Sequence, residues 1–205
     1  MPKRTPMNTS FLKGLEQVEW GSTSRTLPPV HKWNPPRSGD LDIRIARDGT
    51  WFYLGSPIVR LGLVRLFAGI LRRDPDGEYW LVTPVEKVRI RVDDAPFVAV
   101  GMEVEGTGRD QHLKFRTNIG EEVVADSEHP IRVETDPRTR QPAPYVLVRD
   151  RLEALIARSV FYDLAALAEE DEGGVFCVWS AGCRFPLGEA EEAEAPRSGQ
   201  GENAT

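Results

Sequence analysis

Leu41-Asp42-Ile43-Arg44-Ile45-Ala46-Arg47-Asp48-Gly49-Thr50-Trp51-Phe52-Tyr53-Leu54-Gly55 sets the architecture of this chain. Leu41, Ile43 and Ile45 alternate with Asp42, Arg44 and Ala46, so an extended strand has one apolar face and one polar face. Asp48-Gly49 is a strong hairpin signal, because tight two-residue turns need positive φ. Trp51 to Leu54 supply the returning strand. Beyond them, Gly55-Ser56-Pro57 reads as a helix start, with Ser56 as cap and Pro57 at the first helical position. Leu61, Val64, Phe67, Ile70 and Leu71 predict a helix over 57–73. Asp74-Pro75-Asp76-Gly77 is a turn, and Tyr79-Trp80-Leu81-Val82 is the next strand.

The same order recurs further on. Ile131-Arg132-Val133 and residues 144–148 read as strands, and Leu152, Leu155, Ile156, Phe161, Leu164 and Leu167 predict a helix over 150–168. Val175-Phe176-Cys177-Val178-Trp179 closes the second pass. Each pass reads strand, strand, helix, strand, with residues 43–82 matching 131–179. The spacing of about 90 residues is too long for a solenoid. Between the passes, Val88, Ile90 and Val92 alternate with Arg89, Arg91 and Asp93, and 112–117 with 122–125 suggest another hairpin. The expectation is an α+β fold of two related strand-strand-helix-strand units, over 40–84 and 85–188.

The flanks differ from this body. Phe11, Leu12, Leu15 and Val18 predict a short amphipathic helix over 8–19. Pro28-Pro29 and Pro35-Pro36 mark an extended stretch. Because Val30, His31 and Trp33 lie among those prolines, residues 1–39 are expected to form a helix and an arm docked on the body. Residues 189–205, rich in Glu, Ala, Gly and Ser, are expected to be disordered.

Charge narrows the function classes. The formal net charge is −6. Residues 166–205 carry nine acids and two bases, which leaves 24 bases and 23 acids elsewhere. A balanced body argues against broad, charge-driven binding to nucleic acid. No run approaches the ~20 apolar residues that span a bilayer. No apolar run follows Lys3-Arg4, so a secretory signal is not expected. Two cysteines make no disulfide framework. A cytoplasmic protein is the expectation.

No local motif names a chemistry. His31, His112 and His129 are scattered, and Cys177 and Cys183 lack a second pair, so no metal site is expected. There is no nucleophile elbow, no Walker loop and no dinucleotide fingerprint, and no cofactor is expected. Arginine placement is what is left. Arg60 falls in line with Val64, Phe67 and Leu71, where an apolar residue would be expected. Arg158 lines up with Leu155 and Tyr162, Arg149 opens the second helix, and Arg44, Arg47 and Arg89 come from strands. Guanidinium groups on rigid elements suit carboxylate or phosphate capture. Structural bridges to Asp48, Glu86, Asp94 or Glu153 are the competing reading.

Longer words then stand out: Val30-His31-Lys32-Trp33-Asn34-Pro35-Pro36, Ile45 to Tyr53, Gly55-Ser56-Pro57-Ile58 and Leu81-Val82-Thr83-Pro84-Val85-Glu86-Lys87. Asp93-Asp94-Ala95-Pro96-Phe97, Phe115-Arg116-Thr117-Asn118, Pro144-Tyr145-Val146 and Arg158-Ser159-Val160-Phe161-Tyr162 follow in order. Together they resemble a bacterial family called domain of unknown function 1285, over about residues 28–187. The resemblance implies an α+β fold with a duplicated core motif and a second half like a pleckstrin-homology-type domain. A pocket between the halves for a nucleotide-based ligand, and a role in signalling, have been proposed for that family. The leading expectation is therefore a ligand-binding or sensory protein. Its cleft between the units would hold a small anionic, nucleotide-based ligand on Arg44, Arg47, Arg60, Arg89, Arg149 and Arg158. A non-enzymatic protein-interaction module is the alternative, and an enzyme with a dispersed site is a third reading.

Overall fold

The computed structural model describes residues 9–18, 27–136 and 141–189. Helix α1 (Thr9–Glu16) precedes a 3-10 turn at Val30–Lys32. The first sheet then forms from β1 (Arg37–Ile45), β2 (Trp51–Tyr53), β3 (Ser56–Pro57), and, after helix α2 (Leu61–Gly69), β4 (Leu71–Arg73), β5 (Tyr79–Val82) and β6 (Glu86–Val92). The second sheet holds β7 (Phe97–Glu105), β8 (His112–Thr117), β9 (Glu122–Val124), β10 (Ile131–Thr135), β11 (Pro142–Arg149) and β12 (Leu152–Ile156). Helix α3 (Arg158–Ala165) leads to a three-stranded sheet of β13 (Glu169–Glu170), β14 (Val175–Ser180) and β15 (Cys183–Glu189).

The two large sheets share one strand order. The first runs β3-β2-β1-β6-β5-β4 and the second β10-β11-β12-β7-β8-β9. Each consists of two three-stranded antiparallel meanders, with the first strand of one parallel to the last strand of the other. This is a duplication, but in a different frame from the expected one. The repeat pairs residues 37–92 with 97–156, and the match of 43–82 to 131–179 fails. Helix α2 joins the two meanders of the first sheet, whereas α3 follows the completed second sheet. The boundary expected after residue 84 also moves, because β6 lies in the middle of the first sheet.

Both long helix predictions shorten for local reasons. Leu54 and Gly55 both take positive φ, 49° and 81°, which closes a tight turn and sends Ser56-Pro57 back along β2. Proline is tolerated there because β3 is an edge strand. Residues 152–156 bury Leu152, Ala154 and Ile156 in alternation, so the period of two wins over the helical spacing that Leu152 and Ile156 also satisfy.

One apolar core runs through both units and includes Trp51, Phe67, Phe97 and Phe115. Phe11 from α1 enters it and is 1% exposed. Helix α1 approaches closely at Gly14, where a Cβ would sit 2.5 Å from Thr83 Oγ1. The proline-flanked arm lies against the body: Val30 is buried, and Trp33 is half-buried against the core. Arg72 Nη1 fixes it by donating to the Val30 and Trp33 carbonyls at 3.1 and 2.8 Å. The expectation for residues 190–205 lies outside the described residues.

Candidate functional site at the joint between the units

The tip of the β1–β2 hairpin is the first element of the joint. Gly49 adopts φ +82°, and its bare Cα lies against Asn118 and Val98 of the second unit. Asn118 Nδ2 donates to the Gly49 carbonyl at 3.3 Å, while its Oδ1 accepts from Val98 N at 3.1 Å. Helix α2 is the second element. Arg65 Nε donates to the Ile119 carbonyl at 2.7 Å. In return, Arg149 Nη2 reaches from the second unit to the Ala68 carbonyl at 2.7 Å.

Beside these contacts a cleft of 520 Å³ opens, lined by Arg47 from the hairpin, Asp93 and Asp94 from the connector, and Glu134, Thr135, Asp136, Ala143 and Tyr145 from the second unit. Its volume falls in the range of small-molecule sites. Arg47 spans it, with Nε 3.0 Å from Asp94 Oδ2 and Nη1 2.7 Å from Asp136 Oδ2. The Asp136 bond raises the Arg47 pKa. Tyr145 donates its phenol to Asp94 Oδ1 at 2.8 Å. Burial, then the adjacent Asp94, pushes that phenol up, so it stays protonated and keeps donating. Arg132 lies 4.3 Å over the Tyr145 ring and grips Glu153 through two bonds of 2.5 and 2.8 Å. Its third nitrogen meets Glu134.

The six arginines expected to share a site do not converge. Arg47 lines the cleft, and Arg44, outside the lining, is bonded to the lining Asp93 at 2.6 Å and stacked over Phe52. Arg89 pairs with Asp40 at 2.8 Å on the outer face of the first sheet. Arg149 is spent on Glu121, 2.7 Å away, and on Ala68. Arg60 precedes α2 in an extended conformation and is exposed, so it is not on the helical stripe that singled it out. Arg158 is exposed and meets Tyr162 Oη at 2.8 Å.

Sequence reasoning missed the second unit's contribution to the cleft. Neither Glu134 nor Asp136 lies in a stretch that the residue pattern singles out. Tyr145 was read as one strand residue among several. Its setting in Ala143-Pro144-Tyr145, with small neighbours around a ring bearing a hydroxyl, was the available signal. Among the described residues, no group of three His, Cys, Asp or Glu side chains is placed to hold a metal ion. No described helix is long and apolar enough to cross a membrane.

The structure thus defines a class: a two-unit α+β protein built from a repeated six-stranded sheet, with a charged cleft at the joint. The chain belongs to the DUF1285 family: residues 28–95 match the domain of unknown function DUF1285, N-terminal domain, and 96–187 match the protein of unknown function DUF1285, C-terminal domain. These two segments meet where the two sheets divide. A DUF1285 family protein from Silicibacter pomeroyi DSS-3 is 52% identical, with a TM-score of 0.82, over 92% of this chain and 100% of that one. A second, from Shewanella baltica OS155, is 28% identical over 60% of this chain and 90% of its own, with a TM-score of 0.47. No curated protein matches.

Proposed function

We propose that this is a ligand-binding protein whose site is the cleft at the joint, and that its ligand carries a positive charge or several hydrogen-bond donors. One observation carries this reading. Among the described residues, Arg47 is the only guanidinium in the lining, it is already bonded to Asp94 and Asp136, and four carboxylates stand beside it. An anion would have to displace two carboxylates from Arg47 and then face the others. An ammonium or guanidinium group would add to, or take the place of, the cations that these carboxylates already hold. The reading keeps the expected place of the ligand and reverses its expected charge. Arg44 and Arg132 compensate Asp93 and Glu134 from outside the lining, so the preference is for a small cation of low charge.

A site touching both units suits a sensory role in signalling, since occupancy bears on how the units are held. The likeness of the second unit to a pleckstrin-homology-type domain belongs to the same proposal; a two-meander sheet followed at once by α3 supports it. Two free cysteines, Cys177 and Cys183, are compatible with a cytoplasmic setting.

The test is thermal-shift screening with putrescine, choline and arginine amide against ATP and cyclic nucleotides. Stabilisation by a cation, lost in Asp136→Asn, supports the proposal; at a hundredfold excess over Kd it amounts to about 2.7 kcal/mol. Stabilisation by nucleotides alone restores the anionic reading, and no shift with either set removes the site.

A further inference from the structure

We draw no further inference here: the strongest candidate, the surface patch of exposed Val59, Leu61 and Leu63 at the entrance to α2, carries nothing because nothing in the structure shows what covers it.

Discussion

Arg149, a residue of the second unit, donates to the carbonyl of Ala68 at 2.7 Å and so satisfies the C-terminal end of α2, a helix of the first. Its charge is met by Glu121 at 2.7 Å, and its guanidinium lies 5.1 Å from the Phe97 ring centre. A helix end inside a joint needs a donor for its last carbonyls. Here that donor comes from the other unit.

Arg149→Ala is expected to lower stability by about 3 kcal/mol or more, since it strands a largely buried carboxylate and leaves the Ala68 carbonyl only the Ile70 N–H. Urea unfolding measures it. A loss below 1 kcal/mol would show that the joint does not depend on this bond.

Glu121→Gln should behave differently. Burial raises the Glu121 pKa, offset in part by Arg149. A carboxyl whose folded value exceeds its unfolded value stabilises the fold in acid, and that contribution is lost as pH rises through the folded value. The wild type should therefore lose stability relative to Glu121→Gln as pH rises from about 4, while the variant, which leaves the Arg149 guanidinium without its counter-charge, should itself be less stable at neutral pH. Unfolding midpoints of both proteins across that range decide it. A wild type that gains on the variant as pH rises would contradict the assignment.

Gly49→Ala probes hairpin docking. A Cβ there would lie 2.5 Å from Asn118 Nδ2, on top of the strain of φ +82°. Gly77 has φ +89° with nothing within 4 Å of a built Cβ, so Gly77→Ala isolates the strain alone. The expected losses are about 1 kcal/mol at Gly77 and about 2–3 kcal/mol at Gly49. Equal losses would mean that the tip does not press on the second unit.

Arg72→Ala is expected to release the arm. Two carbonyl bonds vanish, and Asp74 keeps only Lys87 of its two cationic partners. Cleavage by trypsin after Lys32 should accelerate at least tenfold, with a global loss of about 1–2 kcal/mol. Unchanged cleavage would place the arm's anchorage elsewhere, in Val30 and the buried prolines.

The hairpin at 41–55 was legible because its information is local: an alternation, then Asp-Gly, then aromatics. Leu41, Ile43 and Ile45 are all buried, as that alternation requires. The place of β6 was not legible. Val88, Ile90 and Val92 announce a strand, but its parallel pairing with β1 joins residues 49 apart, such as Asp40 and Arg89. The duplicated frame was missed for the same reason, since it resides in which strands are neighbours. Leu152 and Ile156, four apart, fit two periods at once, and only the register with β11 chooses between them. The arginines were visible as charges. Their partners Asp93, Asp136, Asp40 and Glu121 are brought to them by the fold, and that pairing disperses the expected anion site.

The shared strand order has a consequence for how such a chain can grow. In each large sheet, the first and last strands lie side by side and point the same way. The polypeptide therefore enters a unit at one end of this central pair and leaves at the opposite end. An exit at the far end is already an entrance for a following copy, and the connector between Val92 and Phe97 is four residues long. A gene segment encoding one unit could be doubled in tandem without inventing a return path. An antiparallel central pair would bring the exit back beside the entrance, and tandem copies would then have to fold back on one another.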